Sequence, residues 1–461
     1  MSRLNVAETD PIYTHGGAKA SKINKELMLR RSVMACMLWE DTFYEDGKEI
    51  SKRIAELIPD VKPEKVAALA IEARSKGKLR HVPLWVVRNM ARIKSHKHLV
   101  ADTLAEIIQR ADELAEFMAI YTKDKEQPLS SQVKKGLARA FVKFSAYDLG
   151  KYNRDGKYKL RDVLFLTHPK PKDAEQAEVW KKLVDGTLES PDTWEVALSA
   201  SQGKDKKENW ERLLRENKMG ALALIRNLRN FEEQGVDREL VIASLDKMNV
   251  DRVLPYRFIT AAKHAPRYEE ALERAMFRCM ESHEELPGKT ILIVDVSGSM
   301  YNSPISGYSE MDRAHAACSL AILVREFSEK SAIYATAGSD SRRIHKTELV
   351  PSRRGFALSD AIYGMCNPLG AGGIFLRQVC DYVKQHEQDA DRIIVITDEQ
   401  DCSGYDDAPS KADAFGKHNY IINVSANRNG IGYGRWNHVD GFSEAVIDWI
   451  LEYEKIEKPT Q

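Results

Sequence analysis

Ile291-Leu292-Ile293-Val294-Asp295-Val296-Ser297-Gly298-Ser299-Met300 decides how this chain folds. Four aliphatic residues in a row that end on an aspartate read as a buried strand, of the kind found in parallel sheets covered by helices. Asp-x-Ser-x-Ser then falls at the carboxyl end of that strand, the edge where open α/β sheets bind ligands. Gly298 lets the loop turn. A carboxylate and two hydroxyls on one tight loop form an oxygen-rich cradle suited to Mg²⁺ or Mn²⁺. Ile393-Ile394-Val395-Ile396-Thr397-Asp398 brings a second carboxylate to the end of another such strand. Asp295, Ser297, Ser299 and Asp398 are therefore the candidate metal ligands. The alternative for the two serines is that they cap the helix that follows.

Outward from this strand, the chain divides near residue 286. Downstream of the turn Leu286-Pro287-Gly288-Lys289, strands are expected over Thr290–Val296, Ser331–Ala337, Arg343–Val350, Arg392–Thr397 and Tyr420–Val424. Helices are expected between and after them, over Met311–Lys330, Ala357–Tyr363, Phe375–Gln388 and Ser443–Glu454. That alternation predicts an α/β doubly wound sheet. Upstream, apolar residues recur at the helical period, as at Leu27, Leu29, Val33, Met34, Met37 and Leu38 within Glu26–Glu40. The same spacing predicts helices over Lys65–Arg74, Pro83–Ile93, Thr103–Tyr121, Val133–Leu149 and Trp194–Ser199. It continues over Asn209–Leu214, Gly220–Phe231, Glu239–Leu245 and Tyr256–Ala265, with prolines falling between the segments. Such a succession suggests an all-α helical-repeat solenoid or ring, whose concave surface or central hole suits binding. The expected plan is a flexible terminus over 1–14, helical repeats over 15–285, the α/β domain over 286–456 and a tail over 457–461.

Composition excludes several classes. At 43% hydrophobic and 30% charged residues, the 461-residue chain is too apolar for wholesale disorder and too charged for a membrane protein. The longest uncharged apolar stretches, such as Ala314–Val324, fall short of the roughly 18 residues needed to span a bilayer. The first 25 residues carry Lys, Arg, Glu and Asp and no apolar run, so no secretory leader is expected and the location is expected to be cytoplasmic. Cys36, Cys279, Cys318, Cys366, Cys380 and Cys402 show no metal-ligand spacing and read as reduced thiols.

Equal counts of 69 basic and 69 acidic residues conceal a split. Residues 1–290 hold 52 Lys+Arg against 45 Asp+Glu, and residues 291–461 hold 17 against 24. Ala73–Val100 carries eight Lys and Arg, including Arg88 and Arg92, with no acid. Interleaved with Leu84, Trp85, Val86, Val87, Met90 and Ile93, these cations suit a packed helix with a basic stripe for phosphates. A solvated basic face with no partner is the alternative. Lys151, Arg154, Lys157, Lys159 and Arg161 form a second cluster within 11 residues, beside Tyr152 and Tyr158. Cations for phosphates interleaved with rings for bases is what single-stranded RNA recognition requires, although both tyrosines could equally pack in a core.

Lys134-Lys135-Gly136-Leu137-Ala138, Lys151-Tyr152, Leu160-Arg161-Asp162-Val163-Leu164 and Leu166-Thr167-His168-Pro169-Lys170-Pro171 succeed one another as in the TROVE module of Ro ribonucleoproteins, which this half of the chain resembles. Trp194-Glu195, Trp210-Glu211, Ala223-Leu224-Ile225-Arg226-Asn227-Leu228 and Leu254-Pro255-Tyr256-Arg257 are similar to the same family, in the same order. The strand and loop around Asp295 resemble the von Willebrand factor A domain and its metal-ion-dependent adhesion site. That family also brings a threonine to the metal, often as Gly-Gly-Thr. Gly370-Ala371-Gly372-Gly373-Ile374 places isoleucine there instead, and isoleucine cannot ligate.

The resemblance covers roughly residues 15–456. It implies a HEAT-like helical ring closed by the A domain, with 3′ ends of misfolded RNAs in the hole and small Y-like RNA on the basic outer face. It implies RNA contacts at Lys151, Arg154 and His168, with Lys170 in the same block, and an exoribonuclease as a protein partner. A ring closed by its own chain implies a monomer. Arg226 could line the ring hole and meet phosphates, but the place of Arg226 and Asn227 inside an apolar helix favours their holding neighbouring helices.

An RNA-binding quality-control or scaffold protein without catalysis is thus the leading expectation. A protein-binding adaptor that uses the A domain is the first rival, and the basic helical half argues against it. A metal-dependent hydrolase built on Asp398, Glu399, Asp401, Asp406 and Asp407 is the remote one. Those acids lie in one loop, no general base has matching spacing, and neither a phosphate-binding loop nor a nucleophile elbow occurs.

Overall fold

The computed structural model describes residues 12–17, 20, 23–34, 47–123, 128–153, 156–191, 194, 205–251, 253, 255–281, 284–301, 311–387, 389–403, 414–425, 427, 430–431, 436–441 and 445–457. The chain forms two compact units, one of Ser51–Cys279 and one that joins Met1–Ile50 to Met280–Gln461. The second grouping differs from the expected plan, in which everything from residue 15 to 285 was helical repeat. Most of the flexible terminus expected over 1–14, and residues 458–461 of the tail, lie outside the described residues.

In the α/β unit six strands lie in the order β3-β2-β1-β4-β5-β6. They are β1 (Leu286–Asp295), β2 (Ser328–Ser339), β3 (Ile344–Leu349), β4 (Arg392–Thr397), β5 (His418–Asn423) and β6 (Asn437–Asp440). All neighbours run parallel except the edge strand β3, which pairs antiparallel with β2. Residues 291–296 of β1 and its exit, and all of β4, are buried, as a strand covered on both faces must be. Val294 pairs with Ile396, so the carboxyl ends of β1 and β4 lie side by side. Successive strands are added to opposite sides of this pair, which makes it the switch point of the sheet. The polar strand β6 was not foreseen, because Asn437-His438-Val439-Asp440 shows no apolar run.

The helices of this unit include α1 (Lys25–Met34), and later α17 (Arg313–Phe327), α18 (Gly355–Tyr363), α19 (Leu376–His386) and α20 (Ala445–Glu457). α17 is buried along nearly its whole length, and Asp312 caps it through the His315 N–H at 2.9 Å. The helix α2 (Gly47–Leu57) carries the chain into the helical unit.

The helical unit runs through α3 (Pro63–Ser75), α4 (His81–Met90), α5 (Val100–Ile107), α6 (Asp112–Tyr121), α7 (Ser131–Phe141), α8 (Ala146–Tyr152), α9 (Leu160–Thr167) and α10 (Ala174–Asp185). It continues with α11 (Asp205–Arg215), α12 (Ala221–Arg226), α13 (Leu228–Glu233), α14 (Arg238–Lys247), α15 (Pro255–His264) and α16 (Glu269–Arg278). Most packing is between a helix and the next one or two along the chain, as in a repeat array. Three stretches expected as single helices are broken, two of them by side chains that satisfy free backbone N–H groups. Buried Glu113 accepts from the N–H groups of Gln109 and Arg110 at 2.8 and 3.1 Å, separating α5 from α6. Ser145 and Asp148 cap each other's backbone and start α8 afresh after α7. Asn227 divides α12 from α13. The helix expected over Trp194–Ser199 lies, except for Trp194, outside the described residues.

Candidate functional site

The α/β unit gathers the four candidate ligands at the switch point. Asp295, Ser297, Ser299 and Asp398 are all buried. One Asp295 oxygen accepts from the Ser297 N–H at 2.8 Å and the other from the Thr397 hydroxyl at 2.6 Å. Ser297 Oγ lies 3.2 Å from Ser299 Oγ, and the Ser299 hydroxyl bonds to Asp398. Burial, and then the charge of Asp398, push the Asp295 carboxyl up to about 7. Burial likewise raises Asp398. Two facing acids out of water are costly as anions, and a divalent cation between them removes that cost. Two carboxylates with two hydroxyls are hard donors, so the residues fit Mg²⁺ or Mn²⁺. Among the described residues no cluster of three or more His, Cys, Asp and Glu is placed to hold a metal, so such a site would depend on the hydroxyls.

The glycine-rich loop approaches this cradle with its backbone. The Gly298 N–H donates to the Gly372 carbonyl at 3.3 Å, and a Cβ on Gly298 would lie 2.8 Å from the Ala371 oxygen. Ile374 points away, fully buried among Ile291, Ile293, Leu376, Ile393 and Val395. It serves as a core residue, and the threonine position expected from the A-domain likeness is thus turned from the ligands.

Residues after Asp398 are tied up structurally. Glu399 bonds to Arg31 of α1 at 2.6 Å and to His438, while the Arg31 Nε lies 3.8 Å from Asp440; all four side chains are almost wholly buried. Thr14 donates to the Asp401 carbonyl at 2.7 Å, and the His15 N–H donates to Gln400 at 2.8 Å. Asp401 accepts from the Leu376 N–H at 3.1 Å and from Ser403. Of the acids considered for a two-metal site, Glu399 and Asp401 are therefore engaged, and Asp406 and Asp407 lie outside the described residues. Nothing in the sequence marked Arg31, because its partners lie more than 360 residues away.

In the helical unit, a groove of about 1190 Å³ takes in Lys151 and Tyr152 from α8. Arg110, Lys218 and Arg226 add cations, and Tyr147 and Trp194 add rings. The Arg110 guanidinium sits 4.8 Å over the Tyr152 ring, and the Lys151 ammonium lies 5.8 Å from the Tyr147 ring. Arg80 also lines the groove but is bound to Asp112 at 2.7 Å and to Glu116. Tyr147 escaped the sequence reading although it stands four residues before Lys151, on the same face of a helix. Arg226 corrects its expectation, being exposed on the groove, whereas Asn227 is buried and bonds to the Ala223 carbonyl at 2.8 Å as a structural residue.

Arg161, His168 and Lys170 are exposed on or just after α9, outside the set that lines the groove. The candidate RNA residues therefore fall into two groups. Arg88 is a correction: it is buried, its Nε donates to the Ile120 carbonyl at 3.1 Å, and it lies 4.3 Å over the Trp85 ring. Arg92 is half-buried and donates to the Tyr121 carbonyl at 3.3 Å. Both hold α4 and its exit against α6, so the apolar interleaving marked packing rather than a phosphate stripe. Arg154 lies outside the described residues.

Residues 185–363 match the model of the TROVE domain, a match that begins at the end of α10 and runs to the end of α18. No curated protein matches the chain. The fold matches the crystal structure of the Ro (RSR) protein of Deinococcus radiodurans with a TM-score of 0.58 and 17% identity, over 91% of this chain and 97% of that one. The likeness at that identity is one of fold. The two findings support the Ro-type resemblance that the sequence carries.

Proposed function

We propose that this chain, with a TROVE match over residues 185–363 and the fold of a Ro protein, is an RNA-binding protein of the Ro type. The observation that carries the proposal is the groove of the helical unit. Lys151, Lys218 and Arg226 supply charge for phosphates there, and Tyr147, Tyr152 and Trp194 supply rings for unstacked bases. That combination suits single-stranded RNA, whose bases are free to stack and whose backbone follows positive charge. The groove accordingly takes single-stranded 3′ ends of misfolded RNAs, within a HEAT-like ring. The exposed face of α9, with Arg161, His168 and Lys170, takes a small structured RNA of the Y type.

The protein works as a cytoplasmic monomer in RNA quality control or as a ribonucleoprotein scaffold, and not as an enzyme. Its α/β unit is an A domain whose Asp295, Ser297, Ser299 and Asp398 would hold Mg²⁺ or Mn²⁺. A metal bound there would offer a coordination position to a carboxylate of a protein partner, an exoribonuclease in the first instance.

The test is a salt-titrated binding series with a structured RNA bearing a single-stranded 3′ tail, the same RNA with a blunt end, and a matched DNA. Tight, tail-dependent and salt-sensitive binding to the first RNA is expected. Lys151→Glu should weaken it about tenfold, and Arg161→Glu should weaken binding of the blunt RNA. Equal, weak binding to all three would reject the proposal and bring the adaptor function forward.

A further inference from the structure

The outer edge of the α/β sheet is dressed unlike the rest of its unit. β3 is the last strand on that side, and among the described residues no strand lies beyond it. Ile344 is 49% exposed and Leu349 is 57% exposed, the two most open large aliphatic side chains among the described residues. Side chains alternate along a strand, so Ile344 lies on one face with Lys346, and Leu349 on the other with His345 and Thr347. The second face packs on α19, where the His345 ring lies 5.3 Å from the Tyr382 ring. Two exposed aliphatics on opposite faces are covered together only by a segment that runs along the edge between them.

The backbone of that edge is capped at its start. The Val350 N–H donates to the Ile333 carbonyl at 2.8 Å. In an antiparallel pair the groups of alternate residues face the partner strand, so those of Arg343, His345, Thr347 and Leu349 point away from β2. The Gln378 side chain of α19 serves the first two, accepting from the His345 N–H at 3.0 Å and donating to the Arg343 carbonyl at 3.1 Å. A side-chain amide thus stands where the peptide of a neighbouring strand would. Thr347 is buried, with its hydroxyl 2.9 Å from that of Thr336. Among the described residues no side chain does for the exposed Leu349 what Gln378 does for His345.

Charge selects the occupant. Residues 342–354 carry five of the 17 Lys and Arg found after residue 290 and a single acid, in the part of the chain where acids outnumber bases. Arg342, Lys346 and Arg353 are exposed, and among the described residues none of the three is paired with a carboxylate. We infer that β3 receives an acidic, extended segment of another protein, which pairs with its outer edge and lays apolar side chains against Ile344 and Leu349. A second copy of this chain would bring the same cations to the edge and be repelled. RNA would meet the cations, but the open apolar side chains are aliphatic rather than rings on which bases stack. The inference does not use the metal cradle at Asp295, which closes β1, two strands away.

The test uses the full chain and a fluorescein-labelled peptide of three Val-Val-Glu-Glu repeats, which puts both residue types on both faces of a strand. Its anisotropy should report saturable binding that EDTA leaves unchanged. The double variant Lys346→Glu/Arg353→Glu should weaken binding about tenfold, and Ile344→Ser/Leu349→Ser by a similar factor, with the parent's melting transition kept in both. The peptide with lysine for glutamate, or N-methylated at every residue, should not bind. No binding by the parent, or undiminished binding by either variant or by the N-methylated peptide, overturns the inference. Loss of binding in EDTA would assign the peptide to the metal cradle, and displacement by a single-stranded RNA would assign the edge to phosphate. Either result rejects the edge as a peptide site.

Discussion

Ile374 shows what one residue's direction decides. Its side chain belongs to the core between β1, β4 and α19 rather than to the cradle at Asp295. Ile374→Thr is therefore expected to leave Mg²⁺ affinity unchanged by calorimetry and to destabilise the α/β unit by about 2 kcal/mol, from lost apolar contact and a buried hydroxyl. The proposed site predicts that Mg²⁺ raises the melting temperature of the parent protein and that Asp295→Asn abolishes the rise. Asp401 makes a separate prediction. Burial pushes its carboxyl up to about 7, against 3.8 in the unfolded chain. A folded-state value raised in this way contributes stability that is full below about pH 4 and is lost as pH rises through about 7. The Asp401 contribution to stability is thus larger at pH 4 than at pH 7, and Asp401→Asn should remove it from the pH dependence of melting. The meeting of Asp295, Ser297 and Ser299 on one loop was legible from Asp-x-Ser-x-Ser because a strand end and a tight loop are local. The direction of Ile374 was not, because it depends on which sheet face the loop returns to.

At the scale of elements, periodicity located helices but overran their ends. Thr103–Tyr121, Val133–Leu149 and Gly220–Phe231 each keep an apolar rhythm across a break, since the helices on both sides face one core. The breaks are made by polar side chains, and Ser145 with Asp148 was readable as a capping box. Ser145→Ala should cost about 1 kcal/mol, measured by chemical denaturation, and should loosen α8. Because α8 carries Tyr147, Lys151 and Tyr152 into the groove, the same variant should weaken tail-dependent RNA binding more than blunt-end binding. Arg88 illustrates the opposite error. A cation among apolar neighbours was expected to face water, yet its guanidinium reaches a backbone carbonyl inside the packing. Composition counts charge but not the length of the side chain that hides it.

At the scale of the molecule, the α/β unit is assembled from both ends of the chain, with Ser51–Cys279 inserted between its two pieces. The change of pattern near residue 286 marks the start of β1, a few residues after Met280, where the downstream piece begins. Sequence reading missed the upstream piece, since Arg31 looks like any cation on an amphipathic helix. Arg31→Met leaves Glu399 and Asp440 buried without their cation and should destabilise the α/β unit by about 3–5 kcal/mol. Calorimetry should show that loss while the helical unit's transition stays in place. A fragment that begins at Met280 should behave like this variant or worse.

The clasp between α1 and the strand ends also sets a timetable for biogenesis. Arg31 leaves the ribosome 368 residues ahead of Glu399. At about 5–20 residues per second, the gap lasts roughly 20–70 s. A ten-residue helix is marginal in water on its own, so α1 spends that interval without a native home. The inserted helical unit, complete by Cys279, has time to fold first. Nascent chains stalled before β4 would therefore display a folded helical unit beside an unattached amino-terminal segment.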